Sequence, residues 1–205
     1  MEYSHEIVLP NEDIPFRMFI FEGRDGNYIR EKHWHRSIEI FALFEGELEF
    51  YVNEIRYPLH PGEFMLVNSN EIHSIHSPKK NLTVVLQIPL STFEKYYTDE
   101  KFIYFSHSSR LHDEKVMELI RSMYQIYEKK EFGYELQVQS QFFMLIYLLV
   151  AKYRKTDVDV EMVFHHRLHE EQLQQGSVPG ISGPDIWVFA YLSVPDVPEV
   201  CQDEL

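Results

Sequence analysis

Short hydrophobic runs alternate with turn residues over residues 5–90 of the chain. Each run is rich in Ile, Val, Phe and Leu, and Gly, Pro or Asn residues stand between the runs, where a turn requires a special backbone conformation. Turns this closely spaced leave no room for crossover helices, so the pattern predicts a mainly antiparallel β-barrel or sandwich. The predicted strands are residues 17–22, 37–44, 47–52, 63–67, 72–76 and 82–88.

The period changes in the following segment, residues 91–155, where apolar positions recur at helical spacing. Residues 91–94 fit a capping box that opens a short helix. A longer helix is predicted over 112–130, because its apolar residues keep to one face, and Gly133 separates it from a second helix over 134–154. The apolar face of the first helix consists of Val116, Ile120, Met123 and Tyr127.

The second helix carries more apolar surface than a helix lying on one sheet needs to bury. One stripe is formed by Phe142, Leu145, Ile146 and Leu149, and it is widened by Phe143, Tyr147, Leu148 and Val150. The excess predicts a partner, so we expect a homodimer formed through the helices at 112–130 and 134–154. The alternative is that other parts of the same monomer cover both faces.

The rest of the chain, residues 156–205, shows neither the helical nor the strand period. From Met162 onwards it holds four of the ten prolines, three of the eight glycines and the single cysteine. This composition predicts a linker followed by a disordered tail.

Composition limits the functions that the chain supports. The formal net charge of −14, from 19 Lys and Arg against 33 Asp and Glu, disfavours binding to nucleic-acid phosphates or an anionic lipid surface. A single cysteine excludes an internal disulfide framework and a Cys-rich zinc finger. The longest apolar run, 142–151, is about half the length that a bilayer crossing requires, and the amino end lacks a signal-peptide pattern. We therefore expect a soluble, cytoplasmic protein that does not contact a membrane.

Residues suited to metal binding stand close together in one predicted strand. His33, His35 and Glu39 are separated by even numbers of residues, so an extended strand would point all three side chains to one face. Two imidazoles and a carboxylate can hold a divalent metal. His73 supplies a fourth ligand, because the Pro61-Gly62 turn leads the chain back along a nearby strand. The alternative is that these groups hydrogen-bond one another and water without a metal.

Residues Gly26 to Gly46 have the spacing G-x6-H-x-H-x3-E-x6-G, and Pro61-Gly62 and a later histidine follow. This order resembles the two motifs of the cupin superfamily. The first motif has one extra residue after Gly26, and the second departs from the usual P-x-G-x2-H-x3-N form. The resemblance implies a cupin-like antiparallel β-barrel, a double-stranded β-helix or jelly roll, followed here by the two long helices. It also implies a divalent ion such as Zn, Ni, Mn or Fe, with the ligands His33, His35, Glu39 and His73.

The order of further motifs is similar to that of the effector-binding amino-terminal domain of AraC-type transcription regulators. Three short motifs lie in the same order as in that domain, and two helices follow them. The motifs are E-G-E-L at 45–48, P-G-E at 61–63 and N-x-N-E-I-H at 68–73. The similarity covers about residues 10–155. It implies that a small polar effector, such as a sugar, binds in the barrel and controls DNA binding by a carboxy-terminal helix-turn-helix domain. The residues expected to contact the effector are His33, His35, Glu39, His73, Trp34, Tyr28 and Phe41.

The DNA-binding domain that this resemblance implies is missing from the sequence as written. If the codons for Met162 to Leu205 are read one nucleotide later, their degeneracy permits a different amino-acid sequence. That alternative sequence has an amphipathic helix, the segment LSPEYLA, a glycine turn and a basic second helix. It resembles a helix-turn-helix unit. We therefore hypothesise that the reading frame changed near Glu161 and that DNA is bound only through the missing domain. The alternative is that codon degeneracy alone permits this string.

The metal-ligand pattern also fits another class of function, a small metal-dependent cupin enzyme such as a dioxygenase or isomerase. A wide apolar helix pair and a helix-turn-helix favour the regulator, because an enzyme needs neither. A purely structural dimer module is the third interpretation, and it predicts a filled barrel. The sequence therefore favours a non-catalytic sensor domain.

Overall fold

The computed structural model describes residues 4–23, 27–97, 103–106 and 112–155. Gly26, the first glycine of the metal-binding motif, lies outside the described residues, as does the whole segment 156–205. The predicted linker, the disordered tail and the change of reading frame therefore remain predictions from sequence.

Two β-sheets pack face to face and form the body of the domain. In the described part of the chain, one sheet has the order β1-β3-β8-β5-β6 and the other the order β2-β9-β4-β7. The strands are β1 (Ser4–His5), β2 (Arg17–Phe21), β3 (Tyr28–Trp34), β4 (Ser37–Glu45), β5 (Leu48–Val52), β6 (Ile55–Leu59), β7 (Phe64–Val67), β8 (His73–Ser77) and β9 (Leu82–Pro89). The described pairs are antiparallel except β1 with β3, and most successive strands alternate between the sheets. The predicted cupin-like antiparallel architecture, followed by two helices, is confirmed.

Besides the two-residue β1, the hydrophobic pattern did not predict β3 and β6. Their sequences are YIREKHW and IRYPL, and several of their side chains face solvent. Charged residues therefore interrupt the apolar runs on which the strand prediction depends.

The segment that carries His33, His35 and Glu39 is not one extended strand, and the alternation argument was wrong on this point. β3 ends at Trp34 in one sheet and β4 begins at Ser37 in the other, so His35 lies in the crossing between them. His33 and Glu39 consequently belong to opposite sheets. Both side chains are buried between the sheets, which brings them to the same region without a shared strand face.

The two predicted helices are confirmed as α1 (Glu114–Lys129) and α2 (Tyr134–Leu148), both shorter than expected. Asp113 caps the amino end of α1 with its carboxylate, which explains the later start. Lys130 adopts a left-handed conformation with φ 47° and ends α1. Gly133, with φ 78°, precedes α2 at the predicted break.

Two other helical segments differ from the expectation. After α2 the chain continues as a π-helix, Leu149–Tyr153, rather than as α-helix to residue 154. The capping box predicted at 91–94 is wrong, because a 3-10 helix spans Leu90–Tyr96 directly after β9 and no side chain caps its start. Among the described residues, no helix combines the length and hydropathy that crossing a membrane requires.

The sheet β2-β9-β4-β7 separates two hydrophobic clusters. On its outer side, Ile38 and Ile40 of β4 belong to a cluster that includes the buried faces of both helices. Phe16 stacks on Phe142 of α2 in the same cluster, with ring centroids 4.1 Å apart. On the inner side, Phe41 belongs to a second cluster that lies between the two sheets.

Burial agrees with the predicted helix stripes in most positions. Buried residues of these stripes are Val116, Ile120, Met123, Phe142, Leu145, Ile146 and Leu149. Among the residues predicted to widen the face of α2, Leu148 is buried within the monomer and Val150 is half-buried. Phe143 and Tyr147 remain 65% and 63% exposed, so the monomer covers only part of the wide apolar face.

Candidate functional site

Three histidine side chains converge between the two sheets. His33 near the end of β3 pairs directly with His73 at the start of β8. His35 lies in the crossing from β3 to β4. All three are buried, and their potential ligand nitrogen atoms lie within 4.8 Å of one another. This histidine triad could bind a metal ion.

Backbone carbonyl groups fix the orientation of each imidazole ring. The Nδ1 atoms of His33, His35 and His73 lie 2.8, 3.2 and 2.9 Å from carbonyl oxygens two residues away in the chain. A carbonyl oxygen only accepts, so Nδ1 carries the hydrogen and, in a neutral ring, Nε2 carries the lone pair. Histidine ligands of metal ions are commonly held by such contacts. The triad therefore presents Nε2 atoms to a common region.

Glu39 brings a carboxylate to the triad from β4. Its Oε2 lies 3.0 Å from Nε2 of His35 and 3.2 Å from Nε2 of His73. Its Oε1 accepts a hydrogen bond of 2.8 Å from Nε2 of Gln87. The two oxygen atoms of Glu39 thus have different partners, and only Oε2 faces the imidazoles.

Burial and charge set the protonation of these groups. Burial, reinforced by His73, lowers the pKa of His33 to about 4, so this ring is neutral at pH 7. Burial also opposes a charge on His35, but the adjacent Glu39 outweighs it and raises the pKa of His35. Although burial disfavours its ionised form, Glu39 has a lowered pKa because His35 and His73 stabilise the carboxylate. The raised pKa of His35 and the lowered pKa of Glu39 share one cause, the attraction between the carboxylate and a protonated imidazole at this contact.

The donor atoms fit a divalent cation in chemistry and in spacing. Neighbouring ligands at about 2.0–2.2 Å from a metal lie about 2.8–3.6 Å apart, from octahedral to tetrahedral geometry, and the contacts of Glu39 with His35 and His73, at 3.0 and 3.2 Å, fall in this range. Nε2 of His73 is buried and makes no hydrogen bond of suitable geometry. A metal ion would supply the interaction that this atom lacks.

The aromatic residues predicted to contact an effector lie in three different places. Phe41 follows Glu39 on the inner face of β4. Trp34 is 1% exposed and stacks on His5 of β1, with ring centroids 4.1 Å apart. Tyr28 lies at the opposite end of β3 and is 43% exposed. The structure therefore places Phe41 near the centre and does not bring Tyr28 to it.

Three polar residues that sequence reasoning missed are connected to the centre. Arg17 donates from Nη1 to Oε1 of Gln87 at 3.0 Å and contacts Oε1 of Glu6 at 3.2 Å. Oε2 of Glu6 lies 3.5 Å from Nε2 of His33. A polar residue within the largely apolar strand LTVVLQIP was the available signal for Gln87. The position of Glu6 depends on strand pairing across the molecule, which no local pattern indicated.

Buried polar atoms without partners lie in the turn that contacts the backbone of His35. The backbone N–H of Asn70 donates to the carbonyl oxygen of His35 at 2.8 Å, so this turn contacts the centre. Both amide atoms of Asn70 and the hydroxyl oxygen of Ser69 are buried without a hydrogen-bond partner. Buried polar groups normally have partners, so these atoms are available to water or to a polar ligand.

A pocket of about 420 Å³ adjoins His73 at one end of the sheet β1-β3-β8-β5-β6. Tyr51 and Ser74 are directly paired and alternate with the buried residues of β5 and β8, so they point away from the inner cluster. This outer pocket has the size of a small-molecule site. Its lining consists of Lys32, Tyr51, Asn53, Glu54, Ile72, His73 and Ser74.

The model of the AraC-like ligand binding domain family matches residues 15–146. The chain belongs to this family. The match includes the histidine triad, Glu39 and α1, and it ends within α2. No curated protein matches this AraC-like chain.

Solved structures of cupin proteins resemble part of this AraC-like domain. A cupin superfamily protein from Desulfitobacterium hafniense is 16% identical over 40% of this chain and 74% of its own, with a TM-score of 0.36. A Cupin 2 conserved barrel domain protein from Salinispora arenicola is 16% identical over 44% and 76%, with a TM-score of 0.36. A predicted oxalate decarboxylase from Thermotoga maritima is 24% identical over 37% and 69%, with a TM-score of 0.34.

Proposed function

We propose that this AraC-like domain is the ligand-sensing and dimerisation module of a cytoplasmic transcription regulator. A small polar effector binds between the sheets, at the centre formed by His33, His35, Glu39 and His73. The observation that carries the proposal is this group of buried polar atoms facing one another inside a hydrophobic sandwich. Many of these atoms contact one another, but Nε2 of His73 and the side-chain polar atoms of Ser69 and Asn70 have no hydrogen-bond partner, and burying unsatisfied polar groups costs free energy. The arrangement therefore favours binding of a ligand over a purely structural role.

A sugar or a similar polyhydroxylated molecule fits the chemistry of this centre. Imidazole nitrogen and carboxylate oxygen atoms accept hydrogen bonds from hydroxyl groups, and the unpartnered amide of Asn70 can both donate and accept. Phe41 provides an apolar ring surface on the same inner face. Trp34 would reach an effector only if β1 moved aside, and Tyr28 would not reach it.

A divalent metal ion, namely Zn, Ni, Mn or Fe, is proposed to organise the centre. Its ligands would be Nε2 of His33, His35 and His73 with a carboxylate oxygen of Glu39. When bound, the ion would act as a Lewis acid and polarise an oxygen atom of the effector. The carbonyl groups that bind Nδ1 of each ring hold the imidazoles in place for this role.

The exposed face of α2 is proposed as the interface of a homodimer, with α1 packed behind it. Leu136, Phe143 and Tyr147 are 73%, 65% and 63% exposed and recur at intervals of seven and four residues, which places them on one stripe. Apolar stripes exposed on a monomer commonly mark interaction surfaces. Pairing of one surface with its own copy gives a closed two-fold dimer.

Control of transcription requires the effector to distinguish two arrangements of the dimer. β4 connects the two regions, because Glu39 faces the centre and Ile40 packs in the cluster that contains α1 and α2. A shift of β4 on ligand binding would therefore reach the helices directly. DNA would be contacted by a separate helix-turn-helix domain, since the net charge of −14 disfavours contact through this chain.

Isothermal titration calorimetry against a panel of sugars, with the metal-free and the Zn²⁺-loaded protein, tests this proposal. We expect saturable binding of at least one sugar, lost in His33→Ala and retained in Tyr51→Ala, which alters the outer pocket and a surface contact with Glu49. Flat titrations with every sugar would contradict the sugar class. Loss of binding in Tyr51→Ala but not in His33→Ala would show that the effector binds in the outer pocket. Turnover of an added substrate by the metal-loaded protein would favour the interpretation as a cupin enzyme.

A further inference from the structure

A second carboxylate reaches the histidine centre from the amino-terminal segment. β1 pairs in parallel with β3, and the backbone N–H of Glu6, the next residue, donates to the carbonyl oxygen of Trp34 at 2.9 Å. Glu6 is therefore held beside the end of β3. Its Oε2 lies 3.5 Å from Nε2 of His33.

A cation between Nε2 of His33 and Oε2 of Glu6 would be attracted to both atoms. Nδ1 of His33 lies 2.8 Å from the carbonyl oxygen of Glu31, so in the neutral ring Nε2 carries only a lone pair. An ionised carboxylate oxygen of Glu6 also offers only lone pairs. Their separation of 3.5 Å is at the upper end of the about 2.8–3.6 Å that separates neighbouring ligand atoms on one metal ion, from octahedral to tetrahedral geometry.

Glu6 and Glu39 are held in the same manner. Oε1 of Glu6 accepts from Nη1 of Arg17 at 3.2 Å, and Oε1 of Glu39 accepts from Nε2 of Gln87 at 2.8 Å. In both residues Oε2 faces a histidine Nε2. Arg17 also donates to Oε1 of Gln87 at 3.0 Å, so one series of hydrogen bonds connects the two carboxylates.

We propose that Glu6 is an additional ligand of the metal centre, which then comprises three imidazoles and two carboxylates. The inference rests on the proposed function, because it requires that the histidine triad and Glu39 bind a divalent ion. Five protein donors exceed the three that a catalytic zinc site commonly uses. Such a set suits an ion that accepts five or six nitrogen and oxygen ligands.

A structural ion pair is the competing role for Glu6. Its Oε2 also contacts Nη2 of Arg30 at 3.2 Å, and the side chains of Arg17 and Arg30 are 38% and 44% exposed. Ion pairs with this exposure contribute little to stability. A structural role therefore predicts a small change in the melting temperature when Glu6 is replaced, whereas a ligand role predicts a loss of metal affinity.

Co²⁺ and Zn²⁺ are the probes, because calorimetry measures the affinity of both and the visible absorption of Co²⁺ reports its coordination. The full chain is compared with Glu6→Gln, Glu6→Asp and the control Glu47→Gln, which removes the same charge from a surface pair with Lys79 at 2.9 Å. We expect Glu6→Gln to weaken binding by about 10–100-fold, the range seen when a partner of a metal site is lost, and to change the Co²⁺ spectrum. Glu6→Asp should recover part of the affinity, and Glu47→Gln should match the unmodified chain.

Equal affinities and spectra for the unmodified chain and Glu6→Gln would overturn the role of Glu6 while leaving the metal centre intact. Failure of the unmodified chain to bind either ion would overturn the metal centre itself. Melting of the metal-free proteins checks folding. Should Glu6→Gln fail to fold, the comparison of Glu6→Asp with Glu47→Gln decides the question, since a metal ligand moved back by one methylene still changes the Co²⁺ spectrum.

Discussion

Nε2 of Gln87 donates a hydrogen bond of 2.8 Å to Oε1 of Glu39, and both side chains are 2% exposed. The two residues are direct cross-strand partners on β9 and β4. Because Gln87 occupies Oε1, only Oε2 of Glu39 is directed at His35 and His73. The orientation of the acid in the centre therefore depends on a residue far away in the sequence.

Gln87→Leu should weaken metal binding without unfolding the domain. The substitution removes the donor to Oε1 of Glu39 while keeping a side chain of similar size, so the carboxylate loses its fixed orientation. We expect the affinity for Zn²⁺, measured by calorimetry, to fall by about 10–100-fold. Thr83→Val, a change to a buried position on the same strand, is the matched control. Equal affinities in both variants would show that Glu39 does not need this partner.

His73→Ala and His76→Ala should differ sharply, although both histidines belong to β8. His73 faces the centre, whereas His76 points outward and pairs with Glu49 at 3.2 Å. We expect His73→Ala to lose more affinity for Zn²⁺ than the about 10–100-fold caused by loss of a supporting partner, and His76→Ala to lose none. A chelator should lower the melting temperature of the unmodified chain but not that of His73→Ala, because an ion that binds the folded state stabilises it.

Elemental analysis of protein purified without a histidine tag provides the independent measurement. Stoichiometric metal in the unmodified chain and in His76→Ala, but not in His73→Ala, is the expected result. Substoichiometric metal in all three would contradict the metal centre.

Phe143→Glu should convert the proposed homodimer into monomers. The side chain is 65% exposed at the middle of the apolar stripe on α2, so the charge would be buried without a partner only in the dimer. We expect the dimer dissociation constant to rise by at least about tenfold, equal to about 1.4 kcal/mol, in analytical ultracentrifugation. Gln125→Glu, at an exposed position of α1, is the control. A monomeric unmodified chain at high concentration would refute the dimer.

Asp13→Asn should destabilise the contact between the loop before β2 and the helix pair. Lys130, Tyr134 and Tyr127 all donate to the Asp13 carboxylate. Burial raises the pKa of Asp13, but these three hydrogen bonds together lower it to about 2, below the ordinary value of 3.8. The stabilisation is therefore fully present above pH 3.8 and is lost as the pH falls through 2.

Urea denaturation of Asp13→Asn at several pH values measures this effect. We expect the free energy of unfolding at pH 7 to fall by about 1–2 kcal/mol, and the difference from the unmodified chain to shrink as the pH decreases below 4. Glu12→Gln, at the exposed neighbouring position, should show neither change. A difference independent of pH would show that the carboxylate charge is not responsible.

The coding DNA tests the hypothesis about residues 162–205. If the reading frame changed near Glu161, the DNA read one nucleotide later should encode the helix-turn-helix sequence described above. The bases at the degenerate codon positions decide this. We expect nucleotide sequencing to find this agreement throughout the segment. Bases that encode a different or interrupted string would end the hypothesis.

Local periodicity was sufficient to predict most of the elements. Hydrophobic runs between turn residues predicted β4 and β9, which are buried on both faces, and helical spacing predicted the buried face of α1. β3 was not predicted, because its charged residues face solvent and interrupt the apolar pattern. The exposed part of the apolar face on α2 was visible in the sequence, but only the packed structure separated Leu148, which is buried, from Tyr147, which is exposed.

By itself, the sequence determined the family resemblance, the two-part architecture and the four polar residues proposed as a centre, because motif spacing and hydrophobic period are properties of neighbouring residues. Only the tertiary structure decided how those side chains meet. His33 and Glu39 lie on opposite sheets, and Gln87 and Glu6 reach the centre through strand pairing. Such contacts depend on the register of strands distant along the chain, which no local pattern of residues specifies.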